Sequence, residues 1–100
     1  MEYKITEQGS RIVFALNGKF THKDLNEFNR QFSTLEGKPI ETLEFDFSEL
    51  DFIDSMGMGL LIKVHDDGER RGYHTVIRNA KGAVLKILEN ANFGALFGME

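Results

Sequence analysis

The segment ETLEFDFS, residues 41–48, alternates apolar and polar side chains without a break. Leu43, Phe45 and Phe47 fall on one side of an extended chain, and Glu44, Asp46 and Ser48 fall on the other. A helix would scatter these apolar residues around its circumference, because its period is 3.6 rather than 2. The segment is therefore a strand with one face in a core and one face toward water. Such a strand belongs to a sheet that is covered on one side only.

The neighbouring segments supply the rest of that sheet and its cover. RIVFALNG, residues 11–18, is an apolar run closed by Asn17-Gly18, and EYKIT, residues 2–6, reads as its hairpin partner across EQGS. THKDLNEFNRQFSTLEG, residues 21–37, sets Leu25, Phe28, Phe32 and Leu35 on one helical face. Thr21 is its N-cap, Asp24 follows three residues later, and Gly37 is its stop. Pro39 breaks the path before the alternating strand. SMGMGLLIKVHDDGERRG, residues 55–72, reads as a second helix ending at Gly72, and YHTVIRN, residues 73–79, as a further strand. KGAVLKILENAN, residues 81–92, has Val84, Ile87, Leu88 and Ala91 in helical register. The apolar tail FGALFGME reads either as a short helix or as the start of one more strand.

The predicted order is β-β-α-β-α-β-α over residues 1–100, with no repeat, linker or low-complexity segment. One hundred residues suffice for a single domain with one core. Strands alternating with helices imply parallel pairing, and the opening hairpin adds antiparallel character. The expected fold class is α/β: a mixed β-sheet with helices mainly on one face.

Composition narrows the function. A net charge of −4 argues against nucleic acid as a partner, because phosphate binding needs a basic surface. The absence of cysteine removes disulfides, thiol nucleophiles and thiolate metal sites. MEYKITEQG has no signal-peptide character, and no apolar run approaches the ~20 residues that span a bilayer. The expectation is a cytoplasmic protein with no direct membrane insertion. His22, His65 and His74 fall on different predicted elements, no metal-ligand spacing occurs, and no Gly-rich phosphate loop is present. No catalytic residue, metal ligand or cofactor is assigned, and the chain is not expected to be an enzyme.

The stretch LDFIDSMGMGLLIKV, residues 50–64, carries the remaining signal. Ile53 ends a strand-like approach, Ser55 sits where a helix N-cap belongs, and Asp54 just before it is favoured by the helix dipole. Capping alone accounts for Asp-Ser, but not for Gly57 and Gly59. Two glycines in the first turn and a half cost about 1 kcal/mol each relative to alanine. Either another backbone approaches closely or a partner docks on the helix start. At ~100° per residue, Gly57, Met58, Leu61, Val64 and His65 share a core-facing arc. Ser55, Met56, Gly59, Lys63, Asp66 and Arg70 lie opposite, so Met56 reads as an adaptable contact at the surface or as a side chain partly buried under the neighbouring loop.

With these residues in place, FDFSELDFIDSMGMGLLI resembles the signature of STAS domains of the bacterial anti-sigma factor antagonist type: a strand, a turn, and Asp-Ser-(Ser/Thr/Ala)-Gly-(Leu/Met)-Gly opening a helix. RIVFALNGKFT looks like the family's second strand and following turn, and YHTVIRNAKGAVLKILENANFGALF like its later strand, third helix and Asn-Phe-x-x-Leu-Phe ending. The resemblance implies an anti-sigma factor antagonist-like regulator in a partner-switching pathway. Its partner would be an anti-sigma factor or switch-type serine kinase, bound through the start of the second helix. Phosphorylation there would end the interaction, and a PP2C-type phosphatase would restore it. The implied partner-binding residues are Asp54, Ser55, Met56, Gly57, Gly59, Lys63 and Thr21, with Asp54 helping to orient the serine or a transferring phosphoryl group. The family's usual acceptor is the second residue after the aspartate, which here is Met56. Ser55, the only hydroxyl in the loop, is then the implied phosphorylation site. Thr21 stands where many members carry an aspartate. The alternative is a STAS module that is not phosphorylated, such as an accessory subunit of a lipid-transport ABC complex.

Overall fold

The computed structural model describes residues 1–100. Strand β1 (Glu2–Gln8) and strand β2 (Arg11–Phe20) form the antiparallel hairpin, paired from Glu2↔Asn17 to Gln8↔Arg11. A 3-10 turn (His22–Asp24) leads into helix α1 (Leu25–Ser33). Strands β3 (Thr42–Asp46) and β4 (Leu50–Ile53) follow, then helix α2 (Ser55–Arg71), strand β5 (His74–Arg78), helix α3 (Gly82–Asn90) and strand β6 (Gly98–Met99). The sheet runs β1-β2-β3-β5-β6, and every pairing after the hairpin is parallel. Helices inserted between parallel strands cross over the sheet, as the alternating pattern required.

Two differences from the sequence reading concern strand count. The approach to Ile53 is a separate strand, β4, which pairs with the far half of β2 rather than extending β3. The ten residues of β2 are long enough to serve β3 first and β4 afterwards. The register shifts between Gly18 and Lys19, and Gly18 takes a left-handed φ of 78° there. The tail forms both readings in turn: a 3-10 turn at Phe93–Ala95, then the two-residue β6 beside β5.

One core of 20 residues fills the covered side of the sheet. Leu43, Phe45 and Phe47 are fully buried, as their alternation predicts. Phe45 stacks on Phe14 with ring centroids 5.7 Å apart, and Phe28 of α1 lies 5.9 Å from Phe14 and 5.2 Å from Phe20. The opposite face corrects the sequence reading at Glu44, which is buried rather than water-facing. Arg11 Nε donates to it at 3.0 Å, and Arg78 Nε approaches the same oxygen at 3.2 Å without hydrogen-bond alignment. Two arginines on flanking strands cover the carboxylate, which period-2 patterning cannot foresee.

Gly37 does not end the first helix as the sequence suggests: α1 stops at Ser33 with Thr34 as its C-cap, and the chain continues in turns to Gly37. Thr21 and Asp24 form a capping box, although it opens the 3-10 turn, and α1 proper starts at Leu25. Gly72 ends α2 in the left-handed conformation at φ 88°. Below it, buried Asp67 accepts from the Tyr73 hydroxyl at 2.8 Å and from Arg71 at 3.1 Å, tying the end of α2 to the start of β5.

Candidate functional site

The junction between β4 and α2 brings together three segments that are distant in sequence: the end of β2, the 3-10 turn and the first turn of α2. Asp54, not Ser55, is the N-cap. Its backbone is extended (φ −100°, ψ −178°), and its Oδ1 accepts the Gly57 amide at 2.8 Å. Its Oδ2 accepts the His22 amide at 3.0 Å and faces His22 Nδ1 at 3.3 Å. One carboxylate thus caps α2 and ties the helix to the 3-10 turn. Ser55 is already helical, so the cap falls one residue earlier than the sequence suggests, on the last extended residue. Burial works to raise the Asp54 carboxyl. The Gly57 and His22 amides and the His22 ring outweigh it and hold the group below the usual carboxylate range.

The two glycines separate by cause. A Cβ on Gly57 would sit 2.6 Å from the Phe20 carbonyl oxygen and 2.9 Å from Ile53 Cγ1. Gly57 is buried, and its bareness lets α2 seat on the end of β2. Its burial agrees with the core-facing arc on which the helical phase placed it, and it positions the helix from inside. A Cβ on Gly59 would meet nothing within 4 Å. Nothing inside this chain requires a glycine there, so its cost in helix propensity has no internal offset.

Ser55 is the first residue of α2 and is exposed, as are Met56 and Gly59. Met56 has 43% of its surface accessible, which places it outside the core as the helical phase predicts. Leu61 and Val64 are fully buried, whereas Met58 and His65 are half-buried at the edge of the core arc. Lys63 is exposed two turns along, where its ammonium donates to Asn29 of α1 at 2.9 Å and so faces α1. Thr21 lies beside His22 in the tied turn, half-buried, and its hydroxyl accepts from the Lys23 amide at 3.3 Å.

A cleft of about 580 Å³ adjoins this junction, between the end of β2, the 3-10 turn and β4. Thr21 and Asp54 line it, together with His22, Lys19, Lys23, Asp51 and an exposed Phe52. The sequence reading set His22 aside as one of three scattered histidines and passed over Lys19, Lys23, Asp51 and Phe52. Phe52 stands in an apolar run and looks like core, and its exposure depends on β4 being a separate strand paired at Lys19. No group of three or more His, Asp or Glu is placed to hold a metal ion, and the three histidines lie on separate elements. No helix is long and apolar enough to cross a membrane.

Comparison with known proteins agrees with this architecture. The family model of the STAS domain matches residues 2–100. Among solved structures, the anti-sigma factor antagonist SpoIIAA in its unphosphorylated form superposes with a TM-score of 0.80 at 21% identity, over 99% of this chain and 87% of that one. Bacillus SpoIIAA in the phosphorylated form gives 0.78 at 20% identity, over 99% and 91%. A sulfate transporter family protein from Wolinella succinogenes gives 0.76 at 17% identity, over 91% and 75%. Among curated proteins none matches by sequence. At these identities the structural likeness establishes the fold.

Proposed function

The chain belongs to the STAS domain family, and from that premise we propose that it is an anti-sigma factor antagonist-like regulator. It binds an anti-sigma factor or switch-type serine kinase of the cytoplasm through the first turn of α2, without catalysing a reaction itself. The observation that carries this reading is Gly59: an exposed helical glycine with open space around it, one turn from Ser55 and flanked by the accessible thioether of Met56. A bare backbone strip beside a flexible apolar side chain suits close approach by a second protein. SpoIIAA, in whose likeness this chain folds, is known in phosphorylated and unphosphorylated forms.

Ser55 is the proposed acceptor. A phosphate there adds about −1.5 to −2 charge and bulk at the contact surface. It would stand at a helix N-terminus, where the local fold tolerates negative charge, while a closely fitted partner would not. The neighbouring Asp54 carboxylate adds like-charge repulsion. Removal of the phosphate by a PP2C-type phosphatase would restore binding. Because Asp54 and not Ser55 caps α2, Ser55→Ala leaves the cap intact and is a clean test. Phosphopeptide mapping of the protein from its native cells should place one phosphate on Ser55, and Ser55→Ala should remove it. Phosphate at another residue would overturn the acceptor assignment.

A second reading is favoured by one observation: an exposed methionine, not a hydroxyl, is the second residue after Asp54. In that reading the module binds constitutively, as an accessory subunit of a transport complex would. Absence of any phosphate from Ser55, together with partner capture that Met56→Lys abolishes, would establish it.

A further inference from the structure

The cleft beside β4 differs in chemistry from the first turn of α2, and its unengaged groups define what it can accept. Its carboxylates are mostly occupied. Asp24 is buried, with Oδ1 held by the Met1 amino group at 2.6 Å and Oδ2 by the Thr21 amide at 2.8 Å. Asp54 holds the Gly57 and His22 amides. Only Asp51 lines the cleft exposed and without an internal partner. Lys19 and Lys23, by contrast, are both exposed and form no ion pair. An acidic chain of net charge −4 therefore presents two free ammonium groups here, with the His22 ring turned toward Asp54.

Phe52 lies directly opposite Lys19 in the β2–β4 pairing, so both side chains stand on the same face. The ring is 41% exposed, and the one cation stacked on an aromatic ring in the protein is Arg71 on Tyr73. The Phe52 face is left open. The backbone donors of the cleft are not. The Thr21 amide serves Asp24, the His22 amide serves Asp54, and the Lys23 amide serves the Thr21 hydroxyl. A phosphate group would find no cradle of amides, only two separated ammonium groups on different elements.

We infer that this cleft receives an acidic segment of the partner protein that carries an apolar or aromatic side chain. That side chain packs on Phe52 while flanking carboxylates meet Lys19 and Lys23. The inference rests on the docking reading above, since the cleft and the α2 junction share Thr21 and Asp54, and it adds the chemistry of the partner. Partner loops that bear a basic patch would be disfavoured by the two lysines.

The test uses the full chain, labelled with nitrogen-15, and short synthetic peptides built around one phenylalanine. One peptide flanks it with aspartate and glutamate, a second with lysine, and a third keeps the acids but replaces the phenylalanine by glycine. The acidic phenylalanine peptide should shift the amide signals of Lys19, Lys23 and Phe52. Its Kd should weaken about tenfold in Lys19→Glu/Lys23→Glu and also on raising the salt. The glycine peptide should bind more weakly than its parent. Tighter binding of the basic peptide, shifts that map elsewhere, no binding of the acidic peptide, or the same shifts from inorganic phosphate alone would each overturn the inference. Met56→Gln separates the two readings: it removes the apolar contact on α2 and so weakens docking there, adds no charge beside the cleft, and leaves peptide binding in the cleft unchanged. Loss of peptide binding in that variant would place the peptide on α2 and refute the cleft.

Discussion

Replacing each glycine of the α2 start by alanine, one at a time, should move stability in opposite directions. At Gly57 the new Cβ would lie 2.6 Å from a backbone carbonyl oxygen and 2.9 Å from Ile53 Cγ1. To restore ordinary contact the helix start must recede by about 0.8 Å from the end of β2. It cannot do so freely, because the Asp54 carboxylate ties it to the His22 amide and the Asp54 amide donates to the Phe20 carbonyl at 3.2 Å. Overpacking of this kind costs about 1–3 kcal/mol, and the gain in helix propensity returns at most about 1 kcal/mol. Contact this close, against backbone, belongs in the upper part of that range, about 2–3 kcal/mol, so the net expectation is destabilisation by about 1–2 kcal/mol. At Gly59 there is no contact within 4 Å, so only the propensity gain remains, up to about 1 kcal/mol of stabilisation. Urea unfolding monitored by circular dichroism should thus separate the two variants by about 2–3 kcal/mol. In a thermal scan this is on the order of 10 °C or more for a domain of this size. Equal effects, or a Gly59→Ala protein less stable than the parent, would refute the assignment of one glycine to packing and the other to the surface. The stabilised Gly59→Ala protein should in turn bind its partner less well. Unchanged partner binding would remove the main support for docking at the α2 start.

Further predictions concern the core, the cap and acid. Leu61→Ala should cost about 2–5 kcal/mol, since Leu61 is fully buried, while Lys63→Ala should stay within about 0.5 kcal/mol; denaturant midpoints will show whether the helical phase holds. Asp54→Ala should cost about 1–2 kcal/mol and release the 3-10 turn, which hydrogen exchange at His22 and Gly57 would report, whereas Ser55→Ala should be close to neutral. Tyr73→Phe should cost about 1–2 kcal/mol by leaving buried Asp67 short of a donor. The carboxyls of Asp46, Asp54 and Asp67 all titrate below their usual range; in each, burial opposes the shift and hydrogen-bond donors prevail. Groups with lowered folded-state values contribute stability above the ordinary carboxylate range and lose it as pH falls through the folded values. Stability should therefore be flat near neutrality and decline below about pH 4, with a shallower decline in Asp54→Asn.

Much of the fold was legible in the chain because it follows from local periodicity. Period-2 alternation in ETLEFDFS set the buried face of β3, and 3.6-residue spacing set the core faces of α1 and α2. Gly72 and the Thr21–Asp24 capping box announced their own geometry, since those conformations depend on few neighbours. The exposed arc of Ser55, Met56, Gly59 and Lys63 followed from phase alone. What tertiary structure decided is whatever depends on which distant groups meet. The cap fell on Asp54 rather than Ser55 because the backbone turns helical only at Ser55, and the assembled fold then brings the His22 amide, 32 residues away in sequence, to the second carboxylate oxygen. Glu44 became buried because Arg11 and Arg78 arrive from flanking strands to cover it. Phe52 became exposed because β2 outlasts β3 and takes β4 as a second partner, turning an apolar-looking run outward. Gly57 and Gly59 are the same residue two positions apart, and no local rule distinguishes them. The carbonyl of Phe20 above one and open space above the other separate a packing requirement from an exposed surface, and that information exists only once the strands and helix are assembled.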